Sequence, residues 1–125
     1  MTRGCPFCTI ANPVVENELA FALYDTWPVT EGHLLIIPKR HYASIFEASR
    51  EELEAIAELV KRGKAMLDEK YKPDGYNIGV NIGRASGQTI MHVHLHLIPR
   101  FVGDVAEPLG GVRGVIPARQ KYPSP

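Results

Sequence analysis

The sequence predicts an α+β domain in which antiparallel strands pack with one long helix. Two apolar segments, LAFALYD (19–25) and HLLIIP (33–38), are typical of strands, and the turn-like TWPVTEG lies between them. One long amphipathic segment follows in the middle of the chain. Because the strands follow one another through turns and do not alternate with helices, their order favours an antiparallel sheet.

Composition indicates a single small domain that binds a small molecule. The chain has 125 residues, which suits one domain with a real core. Lys plus Arg and Asp plus Glu each number 14, so the net charge is zero and nothing indicates a nucleic-acid or membrane surface. No segment approaches the roughly 20 apolar residues of a membrane span. The first residues lack the apolar run of a signal peptide, so we expect a cytoplasmic protein.

The long helix is predicted from ASREELEAIAELVKRGKAMLDEKY, residues 48–71. Ser49 is the expected N-cap, with Glu52 three residues later in a capping-box pattern. Apolar residues then recur at helical spacing until the turn sequence KPDG (72–75). Gly63 lowers the intrinsic stability of the helix and would permit close packing against a neighbour.

Two more strands and a tail complete the predicted order. YNIGVNIG (76–83) and HVHLHLIP (92–99) alternate as strands do, and the loop RASGQT joins them. The last residues are rich in Gly and Pro, which is typical of an irregular segment. We therefore predict one domain over residues 1–125, with 102–125 as an extended C-terminal tail.

Three of the five histidines occupy alternate positions of the last predicted strand. Side chains alternate between the faces of a strand, so His92, His94 and His96 would share one face. One such histidine would be an ordinary polar residue on a wet face. Three indicate function, because imidazole is a useful reagent near neutral pH. A catalytic zinc bound by these histidines is one interpretation.

The two cysteines, Cys5 and Cys8, are too few to staple a secreted fold. Their spacing is typical of a metal half-site or a redox pair. A closed tetrahedral zinc site needs two more nitrogen or sulfur donors. If one strand histidine joins the cysteines, two remain for chemistry. A redox pair fits less well, because no βαβ pattern surrounds the cysteines.

Together these segments resemble the histidine triad (HIT) family. The resemblance rests on HVHLHL preceded by GQT, on CPFC, on ALYDTWPVTEGHLLIIPKRH and on YNIGVNIGRASGQT, and spans residues 5–101. It implies a HIT-like α+β fold, with an antiparallel sheet of roughly five strands, one long helix and one or more short helices. It also implies a homodimer in which edge strands pair.

The resemblance implies hydrolysis or transfer at the α-phosphate of a nucleotide through a covalent nucleotidyl-histidine. His94 matches the nucleophile, and the backbone carbonyl of His92 would fix its tautomer. His96 would contact a phosphate oxygen, and His33 would support the triad. Taken alone, His33 is an ordinary residue at the start of a strand.

Other positions match nucleotide contacts of the family. Gln88 and Thr89 would hold the bridging oxygen and the leaving group as charge develops, and Asn81 matches a polar position beside the phosphate. Asp25 matches the acceptor of both ribose hydroxyls; taken alone, it is typical of an Asx turn. The purine-pocket positions, for which core packing is the alternative, are Phe7, Ile10, Leu23 and Thr26.

The resemblance also completes the metal site and suggests substrates. Members with the CxxC pattern bind structural zinc, and the matching residues are Cys5, Cys8, His41 and His92; no organic cofactor is implied. HLIPRFVGDV looks like the branch that hydrolyses dinucleoside polyphosphates such as diadenosine tetraphosphate (Ap4A). Adenosine phosphoramidate hydrolysis and nucleotidyl transfer or phosphorolysis are alternatives. A non-catalytic nucleotide-binding or scaffold protein is the alternative from another class.

Two features stand outside these motifs. Lys39 and Arg40 form a basic doublet that is more typical of a solvated strand exit than of a phosphate clamp. Trp27 lies in a turn beside Pro28, where an interface role is open.

Overall fold

The structure, a computed structural model, describes residues 4–123; residues 1–3 and 124–125 of the predicted domain lie outside them. The strands are β1 (Val15–Glu16), β2 (Ala20–Tyr24), β3 (Leu34–Pro38), β4 (Gly75–Val80) and β5 (Leu95–Arg100), and the long helix is α1 (Arg50–Tyr71). Short 3-10 helices cover Ile45–Glu47, Arg84–Ser86, Gly111–Val115 and Pro117–Arg119. Within the described residues, no helix is both long and apolar enough to cross a membrane.

All five strands join one antiparallel sheet in the order β1-β2-β3-β5-β4. This arrangement confirms the predicted α+β fold. The last strand is inserted between β3 and β4, so His96 lies opposite Leu35 on one side and Gly79 on the other. Insertion of β5 places the end of the histidine motif in the middle of the sheet.

Helix α1 covers one face of the sheet, and the N-terminal segment covers part of the other. The helix-side cluster is Ala20, Ala22, Leu34, Ile36, Ile56, Leu59, Leu67 and Leu97. The smaller cluster on the opposite face is Phe7, Phe21, Leu35 and Ile37. Since successive strand residues point to opposite faces, β2 and β3 contribute to both clusters. A cleft opens on the face opposite α1.

The predicted ends of α1 are close to the observed ones. Ser49 Oγ accepts a hydrogen bond from Glu52 N at 3.0 Å, and the Glu52 carboxylate accepts from Ser49 N at 2.8 Å, which confirms the capping box. Gly63 faces the sheet. A Cβ at this position would lie 3.1 Å from Leu34 Cδ1 and 3.3 Å from Leu97 Cδ2, so the glycine allows the expected close packing.

Strand β5 begins at Leu95, later than the predicted start at residue 92. Only His96 of the three alternating histidines therefore lies within the observed strand, and the prediction of one shared strand face is wrong in this respect. In the segment before the strand, Val93 N instead donates to Tyr42 O at 2.7 Å, beyond the end of β3. The β4–β5 ladder ends at the pair Val80–Leu95, so His92 and His94 lie outside it.

The predicted tail is only partly extended where the structure describes it. Two 3-10 helices lie within it. Arg100, at the end of β5, donates to both carboxylate oxygens of Asp104 at 2.8 Å and to Asn77 Oδ1 at 2.6 Å. These bonds tie the start of the tail to β4.

Arg40 is exposed, as expected for a strand exit, and its guanidinium also binds a buried carboxylate. Its Nε and Nη2 donate to Glu52 at 3.0 and 2.8 Å, and its guanidinium lies 4.2 Å from the centre of the Tyr42 ring. Glu52 is only 5% exposed. The hydrogen bonds from Arg40, followed by those from Ser49, lower the pKa of Glu52 to about 2.

This ion pair should stabilise the fold above pH 4.5. The folded-state pKa of Glu52 lies below its ordinary value of 4.5, so its contribution is complete above that pH and is lost as pH falls towards 2. We expect Arg40→Gln to lower the free energy of unfolding at pH 7, because it removes the charged partner of the buried Glu52. The loss should be smaller than for a fully buried ion pair, because the Arg40 side chain is 56% exposed. The difference from wild type should shrink at pH 3. Urea unfolding at both pH values measures it.

Lys39→Gln is the matched control. Lys39 pairs with Glu16 at 3.1 Å, but both side chains are about half exposed, so we expect a loss below about 0.5 kcal/mol. Equal losses in the two variants would contradict the assigned role of Arg40.

Candidate active site and metal centre

A cleft of about 470 Å³ opens on the sheet face opposite α1. Its walls come from the N-terminal segment, the β2–β3 turn, the loop after β4 and the residues around the start of β5. The predicted site residues that line it are Phe7, Leu23, Asp25, Thr26, His33, Asn81, Thr89, His94 and His96. The fold thus brings together segments from most of the chain.

His94 is held in one tautomer by the backbone. Its Nδ1 lies 2.8 Å from the carbonyl oxygen of His92. Because a carbonyl oxygen can only accept, Nδ1 carries the proton and Nε2 keeps its lone pair. The ring is also supported by Phe7, whose ring centre is 5.1 Å away. A neutral imidazole with a free Nε2 is suited to nucleophilic attack.

His33 and His96 form a hydrogen-bonded chain. Val29 N donates to His33 Nδ1 at 3.1 Å, so His33 carries its proton on Nε2. His33 Nε2 donates a hydrogen bond to His96 Nδ1 at 2.9 Å. The proton of the neutral His96 ring therefore lies on its Nε2. Burial lowers the pKa of both rings, which favours the neutral forms that the chain requires. His96 can therefore donate one hydrogen bond into the cleft.

Asp25 forms the expected Asx turn and also lines the cleft. Its Oδ1 accepts from Trp27 N at 2.8 Å, which is the Asx turn, and its side chain also lines the cleft. Its Oδ2 lies 3.5 Å from His33 Nε2. One carboxylate oxygen is thus used by the turn, and the other faces the cleft beside the histidine chain.

Gln88 is turned inward, so the substrate contact implied by the family resemblance does not fit this geometry. The side chain is 4% exposed and is not part of the cleft wall. Its Nε2 donates to Ala43 O at 2.8 Å and to Ile90 O at 3.0 Å, and its Oε1 accepts from Gly83 N at 2.9 Å. The amide is saturated by backbone groups and can only position the loop.

Two other predicted residues also lie outside the cleft wall. Ile10 packs against the smaller hydrophobic cluster, and His92 is fully buried. Conversely, Trp27 and Val29 line the cleft without having been predicted as site residues. Val29 acts through its backbone N–H, which no side-chain pattern reveals. Trp27 had one signal, its place directly after Thr26 in the same turn.

Cys5, Cys8, His41 and His92 converge beside the cleft, with their donor atoms all within 4.8 Å of one another. Cys5 Sγ and Cys8 Sγ lie 3.4 and 3.6 Å from His92 Nδ1, and His41 Nδ1 lies 3.2 Å from both Cys8 Sγ and His92 Nδ1. Tetrahedral zinc with its usual bond lengths separates such donors by roughly 3.3–3.8 Å. The donor set and its spacing therefore fit zinc.

The position of the ring proton of His92 also fits a metal ligand. Its Nε2 lies 2.8 Å from Pro38 O and must donate to it, which leaves Nδ1 unprotonated and directed at the cysteines and His41. His92 thereby has two roles in the geometry. Its ring belongs to the metal cluster, and its carbonyl orients His94.

Comparison with known proteins shows the family. The HIT domain model matches residues 10–103. An uncharacterized HIT-like protein of Methanocaldococcus jannaschii is 42% identical over 106 residues, covering 80% of this chain and 81% of its own. An adenosine 5'-monophosphoramidase of Schizosaccharomyces pombe is 36% identical, covering 78% and 74% of the two chains. A bis(5'-adenosyl)-triphosphatase of Dictyostelium discoideum is also 36% identical, covering 67% and 56%.

Solved structures of HIT proteins are similar to this one. A HIT family protein from Bacillus anthracis is 35% identical with a TM-score of 0.75, covering 82% of this chain and 77% of its own. A zinc-bound histidine triad family protein from Mycobacterium smegmatis is 29% identical with a TM-score of 0.75, covering 99% and 86%. The chain belongs to the HIT family of nucleotide hydrolases.

Proposed function

We propose that this protein hydrolyses adenosine nucleotides at the α-phosphate through a covalent intermediate on His94. The observation that carries the proposal is the bond between His94 Nδ1 and the carbonyl of His92. That bond leaves an unprotonated Nε2 in a cleft large enough for a nucleotide. His96 supplies a proton donor on the same wall.

In the first step, His94 Nε2 attacks phosphorus and forms an N–P bond. The bond from phosphorus to the bridging atom breaks, and the leaving group departs with the electron pair. His94 becomes a cation, which the His92 carbonyl stabilises through Nδ1–H. His96 Nε2–H donates to a non-bridging phosphate oxygen, where negative charge increases. Thr89 lines the same cleft and supplies a polar group for the leaving-group side, and Asn81 supplies one beside the phosphate.

In the second step, water forms an O–P bond and the N–P bond breaks. Nucleoside monophosphate is released, a proton from water goes to solvent, and His94 Nε2 regains its lone pair. Splitting the reaction into two displacements replaces one difficult step by two easier ones.

The nucleoside binds at the apolar part of the cleft. Asp25 Oδ2 accepts from the ribose hydroxyls, while Oδ1 stays in its turn. Phe7, Leu23 and Thr26 form walls for the base. Gln88 contributes by holding the loop that carries Thr89.

Dinucleoside polyphosphates such as Ap4A are the substrates we favour, with adenosine phosphoramidates as the alternative. The Dictyostelium and Schizosaccharomyces relatives carry names from these two classes and are equally identical to this chain, so the preference rests on HLIPRFVGDV. A comparison of kcat/KM on Ap4A and on an adenosine–lysine phosphoramidate measures the discrimination directly. We expect Ap4A to be preferred. A higher value for the phosphoramidate would reverse the assignment.

The same proposal includes structural zinc at the cysteine–histidine cluster and a homodimer in the cytoplasm. Among the described residues, the outer edge of β4 pairs with no strand, and Ile78 on this strand is 47% exposed. An open strand edge beside an exposed apolar side chain favours pairing with a second copy. Sedimentation equilibrium should give twice the chain mass, and Ile78→Glu should shift the protein towards monomer. A monomeric wild type would contradict the dimer.

A further inference from the structure

We propose that Trp27 is the stacking platform for the base of the bound nucleotide, and thus a residue that selects ligands with an aromatic base. The inference rests on the proposed function, since it concerns the same cleft. Trp27 lies in the turn between β2 and β3 and lines the cleft together with His94 and His96. Its side chain is 85% exposed. Such exposure leaves a large aromatic surface free to be covered by a ligand.

The other large aromatic ring in the cleft wall is already in use. Phe7 is 8% exposed, and its ring makes edge contacts with His94 at 5.1 Å and with His92 at 6.0 Å between ring centres. Moving Phe7 to sandwich a base would release both histidines. Trp27 makes no such packing contact among the described residues and keeps its ring face open.

The backbone of Trp27 is held next to the ribose acceptor. Its N–H donates to Asp25 Oδ1 at 2.8 Å, and Pro28 follows directly, where the ring restricts the backbone. Two residues span at most about 7 Å, which is comparable to the separation of a ribose from the far edge of its base. A ribose on Asp25 Oδ2 therefore brings the base within reach of the indole.

The charge of the cleft makes this contact important. Among residues 4–123, those that line the cleft include no lysine or arginine, while Asp25 is acidic. Ion pairs with cationic side chains in this wall therefore do not supply the affinity for an anionic nucleotide. Base stacking on an aromatic side chain is a source of affinity that needs no charge.

Fluorescence can follow this contact without interference, because the chain has one tryptophan. We expect titration with AMP to change the emission of wild-type protein in a saturable way. Ribose 5-phosphate, which keeps the sugar and phosphate but lacks the base, should bind more weakly and leave the emission nearly unchanged.

Substitution separates stacking from general damage. Trp27→Ala should weaken AMP binding, measured by calorimetry, by about tenfold, a loss typical of one base–aromatic stack. Its affinity for ribose 5-phosphate should be unchanged, because that ligand has no base to stack on the indole. Trp27→Phe should restore most of the affinity. Phe46→Ala removes an aromatic ring that is 83% exposed outside the cleft and should change nothing.

Each outcome decides the inference. Equal loss for AMP and ribose 5-phosphate in Trp27→Ala would overturn it, and so would unchanged AMP affinity. Failure of the proposed function is distinguishable from both. Suppose that the wild-type protein forms no adduct on His94, while Trp27→Ala still weakens binding of AMP but not of ribose 5-phosphate. In that case the proposed reaction is wrong and the stacking platform stands.

Discussion

Replacing His94 by asparagine is expected to lower kcat by a factor on the order of 10⁴ or more, as loss of a covalent nucleophile does in other enzymes. Asparagine has an N–H donor in place of His94 Nδ1, which lies 2.8 Å from the carbonyl of His92, but it has no nucleophilic nitrogen that could attack phosphorus. Binding of AMP should therefore persist within a few-fold. Incubation with labelled Ap4A followed by an alkaline quench should trap an acid-labile adduct in wild type and none in the variant.

This experiment also separates the enzyme from the alternative of another class. An adduct that persists in His94→Asn would place the nucleophile elsewhere. Tight nucleotide binding by the wild type without adduct or product would instead identify a non-catalytic binding or scaffold protein. Phe46→Ala, which changes an exposed ring outside the cleft, is the control and should form the adduct normally.

The second large effect is expected when the cysteine–histidine cluster is disrupted. Cys5→Ser combined with Cys8→Ser should reduce zinc from one per chain to none and lower Tm by more than about 10 °C, since structural zinc contributes several kcal/mol to folding. The physical reason is local. Phe7 lies between the two cysteines and belongs to the smaller hydrophobic cluster, so release of this segment uncovers apolar side chains.

Metal content by mass spectrometry and thermal unfolding measure these two effects. His94→Asn is the matched control, because it changes a neighbouring histidine whose ring is outside the cysteine cluster, and it should retain zinc. Metal retained in the double variant, or lost from His94→Asn alone, would overturn the division of the histidines. The double variant should also lose activity, because His92 contributes its ring to the cluster and its carbonyl to His94.

Local sequence patterns were sufficient to predict the strands, the long helix and part of the candidate site. The capping box at Ser49 and Glu52 formed as expected, because both residues act within one helical turn. The beginning of β5 was misplaced: before Leu95, the backbone of Val93 bonds to Tyr42, which is far away in sequence. Arg40 likewise gained its role from Glu52, a residue of another element. Such contacts leave no periodic signal in the sequence.

Gln88 shows that a sequence motif also does not reveal which of its side chains face the cleft. GQT places Gln88 and Thr89 side by side, and both were expected to face the substrate. Neighbouring side chains generally point in different directions, and burial decided which one turned inward. The carbonyl groups of Ala43 and Ile90 accept hydrogen bonds from the Gln88 amide, so of these two neighbours only Thr89 lines the cleft.

By itself, the sequence determined the fold class, the family resemblance and the set of histidines and cysteines available for chemistry, because residue identity and short-range spacing carry that information. The tertiary structure decided how the histidines are arranged. It joined His33 to His96, directed the His92 ring to the cysteines and its carbonyl to His94, and left Trp27 open at the cleft. Proton positions and exposed faces depend on partners that are distant in the chain, and only folding brings those partners together.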